Sequence, residues 1–237
     1  MGMNIVKAMT FLFKDREWAS KTLVAVIVSY IPILNLAWIG YLSEITLNVS
    51  HQNTDPLPEW SDIGSKFLSG LKFFAAEILY SLPIILLLTI PLLGFFLGLL
   101  PEDETLQTYA LGAYGLGVIV LICCFSIYFL LLSLFLPAAF INFSQKSTFK
   151  SCFEIKRIIQ IISSNLGDYL LALVAVIAAS FVIGFLISVI SILFIWIICI
   201  GWILLFIIGA VTNVWIGAAT AHLLGQVGYA DMMSSPN

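Results

Sequence analysis

The sequence predicts an all-α integral membrane protein with four transmembrane helices. Three observations predict it. Of 237 residues, 61% are hydrophobic and only 10% are charged, with a mean hydropathy of +1.10. A soluble domain carries about 25% charged residues, so this chain lacks the polar surface to cover a globule. Four apolar stretches, 74–100, 109–136, 168–193 and 196–225, each exceed the ~20 residues needed to cross ~30 Å of hydrocarbon. The stretches between them are amphipathic and too short to fold alone, so a single membrane domain over residues 1–237 is expected.

The chain begins with an amphipathic segment, 1–21, carrying Lys7, Lys14, Arg16 and Lys21. Its helical period puts Val6, Met9 and Phe13 on an inward face, and Trp18 serves as an interfacial anchor. Residues 22–43 follow as a broken or re-entrant segment. They are long enough to cross, but Pro32 and Asn35 stand in the middle, and proline removes a helical hydrogen bond. Each remaining arm is about ten residues, or roughly 15 Å of helix, which is half a bilayer.

The stretch DPLPEWSDIGSKFLSGLKFF, 55–74, reads as a second interfacial helix over 59–73. Trp60, Ile63, Phe67, Leu71 and Phe74 make its apolar stripe. Asp62, Lys66 and Lys72 fall on the wet side, with Asp62 and Lys66 as an i,i+4 pair. A third interfacial helix is predicted over 147–165, with Cys152, Ile155, Ile159, Ile162 and Leu166 as its stripe. A basic surface helix followed by an apolar hairpin occurs three times, which reads as a weak internal repeat.

Charge orients the chain. The ten lysines and arginines fall in three segments, around 7–21, 66–72 and 146–157. If 22–43 does not cross, all ten share one side, which the positive-inside rule makes cytoplasmic. The acidic turn 101–108 then lies outside. A net charge of −3 gives no reason to expect a nucleic-acid partner. The four cysteines have no metal-ligand or redox spacing, and no cofactor is expected.

The pieces KDREW (14–18), IP (31–32), GY (40–41), LPEW (57–60), SGLK (69–72) and YSLP (80–83) resemble a family of uncharacterised prokaryotic membrane proteins, domain of unknown function 4013. They span about the first third of the chain. The resemblance implies a prokaryotic cell (inner) membrane and carries no activity to transfer.

Several residues stand out against this background. Glu59 and Trp60 read as an acid orienting an interfacial anchor. Asp55, Glu59 and Asp62 form an acidic group where a helix begins, as the helix dipole favours. Glu77 and His222 are the ionisable side chains inside apolar runs, and such residues are functional candidates by default; headgroup-level pairing, of Glu77 with Lys72 for example, is the plainer reading. Gly209, Asn213, Gly217, Ala221 and Gly225 recur every four residues, the spacing of a close helix–helix contact, within the chain or between copies. No nucleophile, metal or phosphate motif occurs, so the chain is not expected to be an enzyme. The leading expectation is a non-enzymatic accessory or scaffold protein in the lipid bilayer, packing with itself or with other membrane proteins. The alternative is a channel or transporter for a small or apolar solute, motivated by the broken segment and by Pro83 and Pro91.

Overall fold

Proline and apolar period set the first elements of the structure, a computed structural model that describes residues 3–98, 104–194, 196–197 and 200–234. Helix α1 (Ile5–Thr10) is capped by Asn4, whose side chain accepts the Lys7 N–H, and passes into a 3-10 turn, Phe11–Lys14. Helix α2 (Trp18–Tyr30) stops where Pro32 forces Ile31 into an extended conformation. Ile33 then takes φ 73°, the left-handed region that a β-branched residue rarely visits. Helix α3 (Asn35–Ser50) starts directly after this tight bend. The predicted 22–43 segment is therefore divided at residues 31–34.

The long helices follow. Helix α4 (Ile63–Gly98) is continuous, so the segments predicted separately over 59–73 and 74–100 share one helix. Nothing between Phe74 and Ala75 breaks the backbone ladder, and the helix continues through Pro83 and Pro91. Residues 99 and 100 lie outside the described residues, as do residues 101–103 of the acidic turn. Helix α5 (Glu104–Lys146) outlasts its predicted span at both ends and carries Pro137 inside it. A 3-10 turn, Phe149–Phe153, leads into α6 (Ile155–Ser164), then α7 (Leu166–Phe194) and α8 (Ile200–Ser234). Trp196 and Ile197 form the turn before α8, so that helix begins later than residue 196 and ends nine residues beyond Gly225. Four helical stretches are long and apolar enough to cross a membrane: Ile63–Leu87, Thr105–Lys146, Leu166–Ile192 and Gly201–Ser234. Among the described residues there is no strand.

The chain forms two compact units. One comprises residues 75–136. Within it α4 and α5 supply each other's partners: the Tyr128 hydroxyl donates to the Tyr80 carbonyl at 2.8 Å, and Tyr114 lies against Gly94. The other comprises 1–74 and 137–237. Its core gathers Phe11 and Leu12 with Ala25, Val28, Trp38, Tyr41 and Ile45, against Val214, Ala218 and Ala221 of α8. All ten lysines and arginines belong to this second unit.

In that unit α3 runs parallel to α8. Trp38 meets Gly217, the Thr46 hydroxyl reaches the Ala221 carbonyl at 3.1 Å, and the Ser50 hydroxyl reaches the Gly225 carbonyl at 3.1 Å. At the other end of the hairpin Tyr30 packs edge-on to Phe206. The α3 end of the α2–α3 hairpin thus lies beside Gly225 of α8, and its bend lies near the start of α8. Leu23, Ile27, Ile31 and Ile33 leave apolar surface exposed along it.

Candidate functional site

The segment 55–60 has two prolines and so offers carbonyls rather than N–H groups to its neighbours. The structure uses those carbonyls. Asn48 donates to Pro56 O at 3.2 Å, and Tyr41 donates to Pro58 O at 3.1 Å. The Lys21 amine lies 2.9 Å from Asp15 and 2.6 Å from Glu59. Trp60 stacks on Tyr41 with centroids 4.3 Å apart and planes 7° from parallel, while its indole N–H donates to Lys21 O at 3.0 Å. Trp60, half-buried, thus ties the proline-rich connection to α2 and α3. Glu59 remains largely exposed, and Trp18 is partly exposed with its ring edge-on to Phe13.

Electrostatics follow from these contacts. Burial pushes the Asp15 carboxyl up, but hydrogen bonds from Lys21 and from the Glu17 N–H outweigh it and hold the group below its usual 3.8. Burial likewise opposes the Lys21 charge, yet the Glu59 and Asp15 carboxylates raise its pKa above 10.5. At the start of α4 the Asp62 carboxylate accepts the Ser65 N–H at 3.0 Å, which lowers its pKa; it is a helix cap, as the dipole reading expects.

Lys66 departs from its expected wet face. It is buried and bonds Glu44 at 2.6 Å instead of Asp62. The cause is the crossing of α3 and α4, where Gly40 and Gly70 bring the two backbones together. A Cβ on Gly40 would sit 1.8 Å from the Lys66 carbonyl oxygen, and one on Gly70 would sit 1.7 Å from that of Leu36. On the predicted stripe Ile63, Leu71 and Phe74 are exposed and Phe67 packs against the core, while Phe73 is buried against Phe140. In the N-terminal segment the phase differs from the one expected. Ala8, Phe11 and Leu12 are buried, and Val6 and Phe13 are exposed.

Helix α6 carries a wide apolar arc with two uses. Ile158 and Ile161 are buried within the unit, while Ile155 and Ile159 are exposed. Its Arg157 pairs with Asp231, which is fully buried on α8. Asp231 was not foreseen, although it is the first charged residue after Asp168 and so ends the long uncharged run.

The small-residue stripe on α8 divides. Gly217, Ala221 and Gly225 face α3, and a Cβ on Gly225 would press 2.6 Å from Val49 Cβ. Gly209 has nothing within 4 Å of its Cβ position, and Asn213 is exposed. His222, expected near the interface, is buried. Its Nδ1 lies 3.1 Å from the Gln226 amide, and its ring lies 4.5 Å from Phe11. Gln226 also bonds both backbone groups of Asn4, at 2.7 and 3.0 Å. His222 therefore helps dock the N-terminal segment. Glu77 is half-buried in the unit 75–136; Lys72 does not pair with it but donates to Ser147 O at 3.3 Å.

Where α3 ends and α7 begins, a cavity of about 560 Å³ opens among Lys7, Lys14, Asp55, Asp168, His222 and Gln226. No group of side chains among the described residues has the makings of a metal centre.

Fold and site together define a helical protein with the spans of a multi-pass membrane protein and a charged, tightly bonded end. Residues 23–192 match the family described as Protein of unknown function (DUF4013), and the chain belongs to that family. No curated protein and no solved structure matches the chain.

Proposed function

We propose that the protein is a non-enzymatic scaffold of a prokaryotic cell membrane, with its basic segments on the cytoplasmic side. One observation carries the reading. The hydroxyls of Ser81, Thr89, Ser126, Ser133, Ser188 and Ser191 each bond a carbonyl three or four residues back on their own helix. Polar groups that served a solute would converge across helices; these leave apolar outer faces suited to lipid and to other spans. Gly209 and Asn213 on α8 offer a further open edge for association. The α2–α3 hairpin dips into the bilayer and returns, which accounts for its exposed isoleucines and for the bend and the α3 end lying at different levels of α8.

The bend at residues 31–34 favours a second reading, a transporter, because interrupted helices line many substrate sites. Purification in mild detergent with mass determination separates the two. A defined oligomer or partner set supports the scaffold. An isolated monomer that passes solute in liposomes overturns it. An N-terminal tag labelled from outside intact cells would overturn the dipping hairpin.

A further inference from the structure

The cavity at the polar end of the unit 1–74 and 137–237 gathers charges of both signs that do not pair with one another. Asp15 reaches it, but that carboxylate is matched by Lys21. Four other charged residues line it: Lys7 of α1, Lys14 of the following turn, Asp55 of the connection after α3, and Asp168 in the first turn of α7. None of the four makes an ion pair among the described residues, although two amines and two carboxylates share one space. The cavity volume, about 560 Å³, falls within the usual 300–1,000 Å³ of small-ligand sites. His222 and Gln226 add polar groups to the wall, and Phe11 adds an apolar one.

A purely anionic ligand would meet the two aspartates, and a purely cationic one the two lysines. Either mismatch costs affinity. A ligand that carries both charges satisfies both pairs. The cavity also lies at the end of the unit where the long spans α7 and α8 have their polar termini, so it sits at headgroup level when those spans cross a bilayer. We propose that this cavity binds a phosphate–ammonium zwitterion of the phosphoethanolamine type, with the phosphate on Lys7 and Lys14 and the ammonium on Asp55 and Asp168. A membrane lipid headgroup and a soluble glycerophosphoethanolamine both present this chemistry.

The test uses the full chain in detergent micelles, with native mass spectrometry of added phosphatidylethanolamine and phosphatidylglycerol. Retention of the zwitterionic lipid should exceed that of the anionic lipid by roughly tenfold, the ratio that 1.4 kcal/mol gives. The Lys7→Gln/Lys14→Gln and Asp55→Asn/Asp168→Asn variants should each abolish the preference. Soluble glycerophosphoethanolamine that displaces the lipid shows that the headgroup chemistry alone suffices; failure to displace it assigns the site to the intact lipid. Equal retention of the two lipids, no retention of either, or a preference unchanged in both variants overturns the proposal. Unfolding midpoints are measured in parallel, and the single variants Lys14→Gln and Asp55→Asn replace any double variant that does not fold.

Discussion

Tyr41 and Trp60 stack face to face, 4.3 Å apart, while Tyr41 donates to Pro58 O, two residues before Trp60, and Trp60 donates to Lys21 O on α2. The pair fixes the proline-rich connection onto α3. Trp60→Ala should destabilise the protein by about 3 kcal/mol, from lost aromatic packing and an emptied site. Tyr41→Phe should cost about 1–3 kcal/mol, because the Pro58 carbonyl loses its donor. Chemical unfolding in detergent measures both; a Trp60→Ala loss under about 1 kcal/mol would show that the stack is incidental.

The α3–α4 crossing has no room for a methyl group. Gly40→Ala and Gly70→Ala should each cost about 3 kcal/mol or more, because the obstructing atoms are backbone carbonyls that cannot rotate away. Gly209→Ala is the contrast. Nothing obstructs it, and helix propensity favours it by up to ~1 kcal/mol. Equal effects at Gly40 and Gly209, read by thermal unfolding, would refute the crossing.

The Lys21 contacts predict a pH response with two limbs. Asp15 has a lowered folded pKa, so its stabilisation is complete above 3.8 and is lost as pH falls through the folded value. Lys21 has a raised one, so its stabilisation is complete below 10.5 and is lost as pH rises through the folded value. Lys21→Met should cost about 2–3 kcal/mol at neutral pH, since it leaves the Asp15 carboxylate with a side chain only 12% exposed and without its partner. It should also flatten both limbs. An unfolding midpoint that keeps the wild-type pH profile in this variant contradicts the assignment.

Arg157 and Asp231 should show strong coupling. Arg157→Met takes the guanidinium away from a fully buried carboxylate and should cost about 3–5 kcal/mol. The double variant Arg157→Met/Asp231→Leu should recover much of that loss, because an apolar pair of similar size needs no desolvation. Additive losses in a double-mutant cycle would mean that the two side chains act independently.

What the sequence made legible follows from which signals are local. Apolar length alone marks all four spans, because a span must be apolar whatever it packs against. Pro32 marks the break at residues 31–34, because its effect on Ile31 is steric and immediate. The facing of the short helices was not legible. At a membrane surface an apolar stripe has two possible partners, lipid and protein, and hydropathy does not distinguish them. Hence Val6 and Phe13 turn out, Ala8 and Leu12 turn in, and Lys66 goes to Glu44. Gly40 and Gly70 were visible only as parts of the family pattern, since the contact that needs them joins residues thirty positions apart. Asp231 and Gln226 depend on still more distant partners.

The α3–α8 seam also bears on biogenesis. Thr46 and Ala221 are 175 positions apart. A ribosome adding about 5–20 residues per second delivers the second roughly 10–35 s after the first. Throughout that interval the hydroxyls of Thr46 and Ser50 and the ring of Trp38 await the helix against which they are finally buried. The hairpin is made early and finished last, so the nascent chain passes through a long stage in which its first third is an open client for whatever insertase or chaperone attends the membrane.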